Sequence, residues 1–224
     1  MRAWIWTLTV LAFVGAGLLV GRLRDTATPI EQGFFAVPPA PISHLAAGFD
    51  NIAADLMYMR FTVYWGYQLT HGRHFHNLYP MLDLITDLDP RFRPAYELGS
   101  FALGDAGQVK AAVELLNKGA KTQPQSDWYP YQAGIVLFMQ GQDYLEAAHY
   151  FELAAQKPHA RPSAAYFAAR MYKEAGRTDL AIKTWQRVYV SAGNSSVRQV
   201  ARNALRRLGK NTDVLIPKSS ESVL

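Results

Sequence analysis

Apolar positions along this chain fall into three regimes. From Ala3 to Gly21 they run without a charge; from residue 25 to 44 they lose all period; from Leu45 onward they recur at helical spacing. Within the third regime one pattern returns four times. A small or aliphatic residue is followed four positions on by a large apolar one, and three further by an apolar or small one. Leu78-Leu82-Ile85, Ala112-Leu116-Gly119, Ala147-Phe151-Ala154 and Ala181-Trp185-Val188 fit. Steps of four and three put each trio on one stripe of an α-helix. The first members stand at 78, 112, 147 and 181, so the period is 34, 35 and 34 residues.

A second helical pattern with a small residue near its middle precedes the stripes: Trp65-Gly66 before Leu78, Gly134 and Gly141 before Ala147, and Ala168-Ala169, Tyr172 and Gly176 before Ala181. Pro90, Pro124 and Pro158 follow the stripes, where a helix should stop. Each unit therefore reads helix, turn, helix, break. One such hairpin cannot bury its apolar face alone, so neighbours must stack. Ser196 to Lys210 caps the stack. Val197, Val200, Ala201, Ala204, Leu205 and Leu208 form its apolar face, while Arg198, Arg202 and Arg206, with Arg207 beside them, read as a solvated one.

These units resemble tetratricopeptide repeats, whose pattern is W-x2-L-G-x2-Y, then A-x3-F-x2-A, then a proline. The unit from Pro162 to about Ser195 keeps the register best, departing at Ala165 and Gly193. The second and third units need one-residue shifts between their helices. The first is irregular, with a leading helix from near Leu45 to about Leu69, and its Ala54-Asp55-Leu56 resembles the opening of membrane-anchored bacterial repeat proteins. The resemblance covers residues 45–209 and implies an all-α fold, a right-handed stack of about four helical hairpins closed by a capping helix. In such repeats the first helices line a groove that holds a partner's peptide or helix. The matching positions are Arg60 and Tyr67, Glu97 and Phe101, Tyr131 and Phe138, then Tyr166, Arg170 and Lys173. Aromatics mixed with positive charge suit a peptide or helix carrying acidic groups. The Lys and Asn pattern that clamps a chaperone's terminal carboxylate is not visible, which disfavours a chaperone-tail adaptor.

The stretch Met57–Tyr67 is apolar around most of its circumference. As the end helix of a stack it has a neighbour on one side only. A membrane protein, the bilayer surface or the proline-rich spacer is expected on the other, with Tyr64 and Tyr67 in the contact. Replacing both by alanine should then release the partner and leave the helix content intact.

Ala3 to Gly21 is 21 − 3 + 1 = 19 residues, about 28 Å of helix and close to a bilayer's hydrocarbon thickness. Trp4 and Trp6 sit at one end, where indoles favour the membrane interface. Residues 1–24 are thus expected to be a transmembrane signal anchor. Residues 25–44, with Pro29, Pro38, Pro39 and Pro41, read as a linker, 45–209 as the repeat domain and 210–224 as a flexible tail. The alternative is cleavage at Val14-Gly15-Ala16, which would give an exported soluble peptide-binding protein. Gly17 and Gly21 have the spacing that lets two membrane helices approach and dimerise. A one-residue leading tail resembles a signal anchor that leaves the domain on the extracytoplasmic (periplasmic) side.

Composition narrows the chemistry. A formal net charge of +5 without a Lys/Arg-dense block does not suggest a nucleic-acid partner. Cysteine is absent, which removes disulfides, thiolate metal sites, thiol nucleophiles and covalent haem attachment. The chain has no phosphate-cradling Gly-Lys-Ser/Thr loop, no Gly-x-Ser-x-Gly elbow and no His-Glu-x-x-His. No enzyme and no cofactor are therefore expected. Asp83, Asp87 and Asp89 end a helix before Pro90 and read as surface and turn residues. His71, His74 and His76 share a turn and have the spacing of weak metal ligands, so a metal-handling role stands as an alternative to a polar turn. The leading expectation is a membrane-anchored protein–protein interaction scaffold, an accessory or assembly subunit of a cell-envelope complex.

Overall fold

The computed structural model describes residues 48–71, 75–191 and 195–209. The chain divides into two units, Met1–Pro41 and Ile42–Leu224, and every described residue belongs to the second. The expected anchor, linker and tail, the Gly17/Gly21 pair and His74 lie outside the described residues. Among the described residues no helix is long and apolar enough to cross a membrane.

All regular structure among the described residues is helical. The elements are α1 (Asp50–His71), α2 (Leu78–Leu88), α3 (Arg93–Asp105), α4 (Val109–Thr122) and α5 (Trp128–Val136), the last continued by a π turn (Leu137–Gly141). Then come α6 (Tyr144–Ala155), α7 (Pro162–Glu174), α8 (Thr178–Ser191) and α9 (Ser195–Arg207). Each helix packs on the next in chain order, and α2 also touches α4 as α3 touches α5. The core is therefore assembled from sequence neighbours, as short connections between helices require. All twelve stripe residues, from Leu78 to Val188, are buried. The leading helix corrects one expectation. It cannot run unbroken from Leu45, because Gly48 holds φ at 92°, in the left-handed region, and the Phe49 carbonyl opens α1 by accepting the Ala53 N–H at 3.0 Å.

The uneven period has a local cause. Three first helices end in the same way, with a left-handed residue (Gly107, Gln142, Gly176) five positions before the stripe's first member. The amide after it bonds back to the backbone carbonyl of a buried residue. Gln108 reaches Leu103 and Arg177 reaches Tyr172, each five residues back, but Asp143 reaches Leu137, six back. The extra residue of the 35-residue interval therefore sits between Leu137 and Asp143. It is absorbed by the π turn, which widens one helical loop by one residue. Gln140 turns inward there to fill the space beside Gly104, where a Cβ would overlap its amide oxygen. That oxygen has no hydrogen-bond partner among the described residues.

Ion pairs repeat at the same interval. Lys118 Nζ on α4 lies 2.6 Å from Asp83 and 2.6 Å from Asp87 on α2, so two of the three aspartates expected to be turn residues in fact clamp helices together. Arg161 Nε meets Asp127 at 2.8 Å and Arg187 meets Glu152 at 2.6 Å. Lys118 and Asp83, Arg161 and Asp127, and Arg187 and Glu152 are 35, 34 and 35 residues apart, one unit each. Tyr172 also donates to Glu152 at 2.7 Å, and burial together with that carboxylate pushes its pKa up to about 12.

Burial alone would raise the pKa of Asp127 and Glu152. Hydrogen bonds outweigh it, from the Arg161 side chain and backbone in the first case and from Tyr172 and Arg187 in the second, so both carboxyls titrate below their ordinary values. Depressed folded values mean the stabilisation is present above the unfolded values, about 3.9 and 4.3. It is lost as pH falls through the folded ones. The thermal midpoint should therefore hold near neutrality and drop steeply below about pH 4. In a variant with Asp127→Asn and Glu152→Gln, a lower midpoint at pH 7 and a shallower acid slope, measured by circular dichroism, is the expected result.

Candidate functional site: a cationic cleft at the end of the stack

A cleft is formed where α7 and α9 lean over α8. It encloses about 510 Å³. Its aromatic wall is Tyr166 and Trp185, in an edge-to-face pair with ring centroids 5.4 Å apart and planes at 77°. Val200 and Ala204 of α9, with Leu208 just past its end, continue the apolar lining, and Val200 is 43% exposed. Arg170 and Lys173 from α7 and Arg207 from α9 supply positive charge, Glu174 one carboxylate and Asn203 an amide. Arg170, Lys173 and Arg207 have no carboxylate partner among the described residues, whereas Lys118, Arg161, Arg177 and Arg187 do. The lining is therefore part apolar and part charged, with three cations against one carboxylate.

The sequence explains the geometry. On α7 the steps Tyr166, Arg170 and Lys173 (four, then three) place all three on one face, opposite the buried Ala164, Ala168, Met171. On α9 the buried residues are Ala201 and Leu205. The adjoining line Val200, Asn203, Ala204, Arg207 therefore faces the cleft. The cap's arginines divide otherwise than the sequence suggested. Arg202 donates to the Tyr189 hydroxyl at 3.2 Å with its guanidinium 5.6 Å from that ring, so it is a packing residue. Arg207, not the Arg198-Arg202-Arg206 line, reaches the site.

The other expected groove residues scatter. Glu97 and Phe101 are exposed and border a shallow depression of about 70 Å³ between α3 and α5, with Met139 opposite. Phe101 meets Trp65 edge to face at 6.2 Å. Tyr131 is taken up in packing between units. Arg161 sits over its ring at 4.2 Å, Phe151 and Phe167 flank it, and Ser163 Oγ donates to its hydroxyl at 3.4 Å. Phe138 is half-buried against Tyr144. Arg60 is half-buried and engaged within the chain. Tyr67 stacks on His71 with centroids 4.2 Å apart.

Tyr64 is a plain correction. It is 2% exposed and its hydroxyl accepts the Asn77 N–H at 3.5 Å, so it offers nothing to a partner. Substituting it would open a cavity. The exposed apolar side of α1 is carried by other residues, Ile52, Leu56, Met59 and Val63. For the histidines, the His71 Nδ1 lies 2.6 Å from Thr70 Oγ1 and 3.2 Å from the Tyr67 carbonyl. No cluster of three metal-ligating side chains is found among the described residues.

No family model matches the chain, and no curated protein matches it. Among solved structures the chain is similar to a mutant of MamA, at 18% sequence identity and a TM-score of 0.39, over 79% of this chain and 94% of that one.

Proposed function

We propose that this chain is a membrane-anchored protein-interaction scaffold, an accessory or assembly subunit of a cell-envelope complex. Its α7–α9 cleft holds an acidic, partly apolar segment of a protein partner. The observation that carries the reading is the grouping of Arg170, Lys173 and Arg207, none paired with a carboxylate among the described residues, around the Tyr166–Trp185 wall. Acidic groups steer in and pair at the rim, while an apolar side chain fills the aromatic half. The uncharged run from Ala3 to Gly21 supports the anchor, and confinement to one surface raises local concentration, so a modest affinity suffices.

The test is affinity purification from gently solubilised membranes, comparing the wild-type chain with one carrying Arg170→Glu, Lys173→Glu and Arg207→Glu. The three side chains are exposed, so the circular-dichroism spectrum should not change. A defined protein recovered with the wild type, falling off with salt and at least tenfold depleted with the reversal, is the expected result; a tenfold loss is about 1.4 kcal/mol. Equal recovery by both chains would remove the cleft from the interaction.

A further inference from the structure

The first helix carries two apolar faces, and among the described residues one of them is packed against the stack. Ala54, Met57, Phe61, Tyr64 and Gln68 are buried against the stack. On the far side Phe49, Ile52, Leu56, Met59 and Val63 are between 55% and 66% exposed. Their steps are three, four, three and four, a line about 80° wide on the helical wheel and about 21 Å long. That spacing is the seam of a two-helix pairing, with Phe49, Leu56 and Val63 on one row and Ile52 and Met59 on the next.

We infer that this seam pairs with the same seam of a second copy of the chain, the two α1 helices lying parallel and in register. Charge selects the occupant. Asp55, exposed, flanks the seam on one side and Arg60 flanks it on the other, five residues on. Five residues is the offset at which flanking positions meet across a parallel pair, so each Asp55 faces the other copy's Arg60. Arg60 is already engaged within its own chain, and the second carboxylate adds to that contact. A helix lying on a bilayer is built differently, with a broad apolar face edged by Lys and Arg; here a narrow line has Asn51 and the Asp55 carboxylate on one edge and Arg60 on the other. This interface is separate from the cationic cleft and goes beyond the role proposed for it.

The chain has no cysteine, so single cysteines report cleanly. In the full chain reconstituted into lipid vesicles, Phe49→Cys and Val63→Cys should each give a disulfide-linked dimer at least ten times faster than Gln125→Cys, an exposed position beyond α4. An antiparallel pair would link neither with itself, and would overturn the register. Leu56→Asp, at a 55% exposed site, should abolish the cross-link at position 63 while leaving the helical spectrum and thermal midpoint unchanged. Cross-linking that survives Leu56→Asp assigns association to another part of the chain and refutes the seam. If cross-linking is absent and a fluorophore on the Val63→Cys side chain is quenched by spin-labelled lipid, the bilayer covers this face and the inference is wrong.

Discussion

Phe151→Ala is expected to destabilise the domain by about 3–5 kcal/mol, the largest effect of any single truncation in the stack. The ring has no exposed surface. It stacks on Phe167, with centroids 5.3 Å apart and planes at 26°, and meets Tyr131 edge-on at 5.3 Å. On its other side it occupies the space a side chain on Gly134 would need, since a Cβ there would stand 2.9 Å from Phe151 Cδ1. It thus joins α5, α6 and α7 at one point. Removing it leaves a hole lined by two rings that are themselves held, Tyr131 beneath the Arg161 guanidinium and Phe167 against Tyr166. Neither can collapse inward, so the cavity cost adds to the lost transfer energy. Phe101→Ala is the matched control: same chemistry, but 53% exposed and expected to change stability by less than about 0.5 kcal/mol. Urea unfolding monitored at 222 nm gives both values. Near-equal losses would mean that Phe151 is not the junction it looks to be.

Gly119→Ala comes next, and here two effects oppose. In a helix interior alanine is favoured over glycine by about 0.8–1.0 kcal/mol. A Cβ at Gly119, however, would overlap Tyr129 Cε1 and stand 2.9 Å from Tyr96 Cε1. Both rings are buried and fixed at their far ends. The Tyr129 hydroxyl accepts from Gln123 at 2.9 Å, the Tyr96 hydroxyl donates to the Pro90 carbonyl at 3.1 Å, and the rings meet edge to face at 5.3 Å. Overpacking of this kind costs about 1–3 kcal/mol, occasionally more, and rings that cannot retreat sit at the upper end. A net loss of about 2 kcal/mol is expected. Gly66→Ala on the open side of α1, with nothing within 4 Å of the added carbon, should gain the propensity term alone. The two substitutions should therefore have opposite signs in thermal denaturation, and matching signs would mean that α3, α4 and α5 have room to move apart.

The repeat was legible because burial imposes it. A residue such as Ala147 or Ala181 must be small for helices to approach, and its partners at four and seven must fill the groove beside it, so spacing alone exposes the stripe. The same reasoning placed Tyr166, Arg170 and Lys173 on one face, and the cleft brings them together. It failed at α1 because a helix apolar around most of its circumference does not show which of its tyrosines faces outward. Tyr64 lies on the buried run 54, 57, 61, 64, 68, which the sequence shows only if the outer run 49, 52, 56, 59, 63 is read as a second face. With apolar residues on both sides, periodicity cannot say which side the fold uses. Tyr131 was misplaced for another reason: an aromatic at a groove position reads the same whether a partner or Arg161 covers its ring. Arg207 was grouped with the solvated face of Arg198, Arg202 and Arg206 because it adjoins their i, i+4 series, whereas it lines the cleft.

The position of the cleft in the stack has a kinetic consequence. Its outer wall, α9, is anchored by two buried side chains, Ala201 and Leu205, while α8 beneath it is packed on α7 through Trp185 against Tyr166 and tied to the preceding unit by Arg187 on Glu152. In a chain assembled from neighbours, opening energies fall toward the ends. The wall of the cleft therefore opens at low energy. Under the function proposed above, a captured segment would leave at the rate at which one helix lifts, without disturbing the units that hold the rest of the domain together.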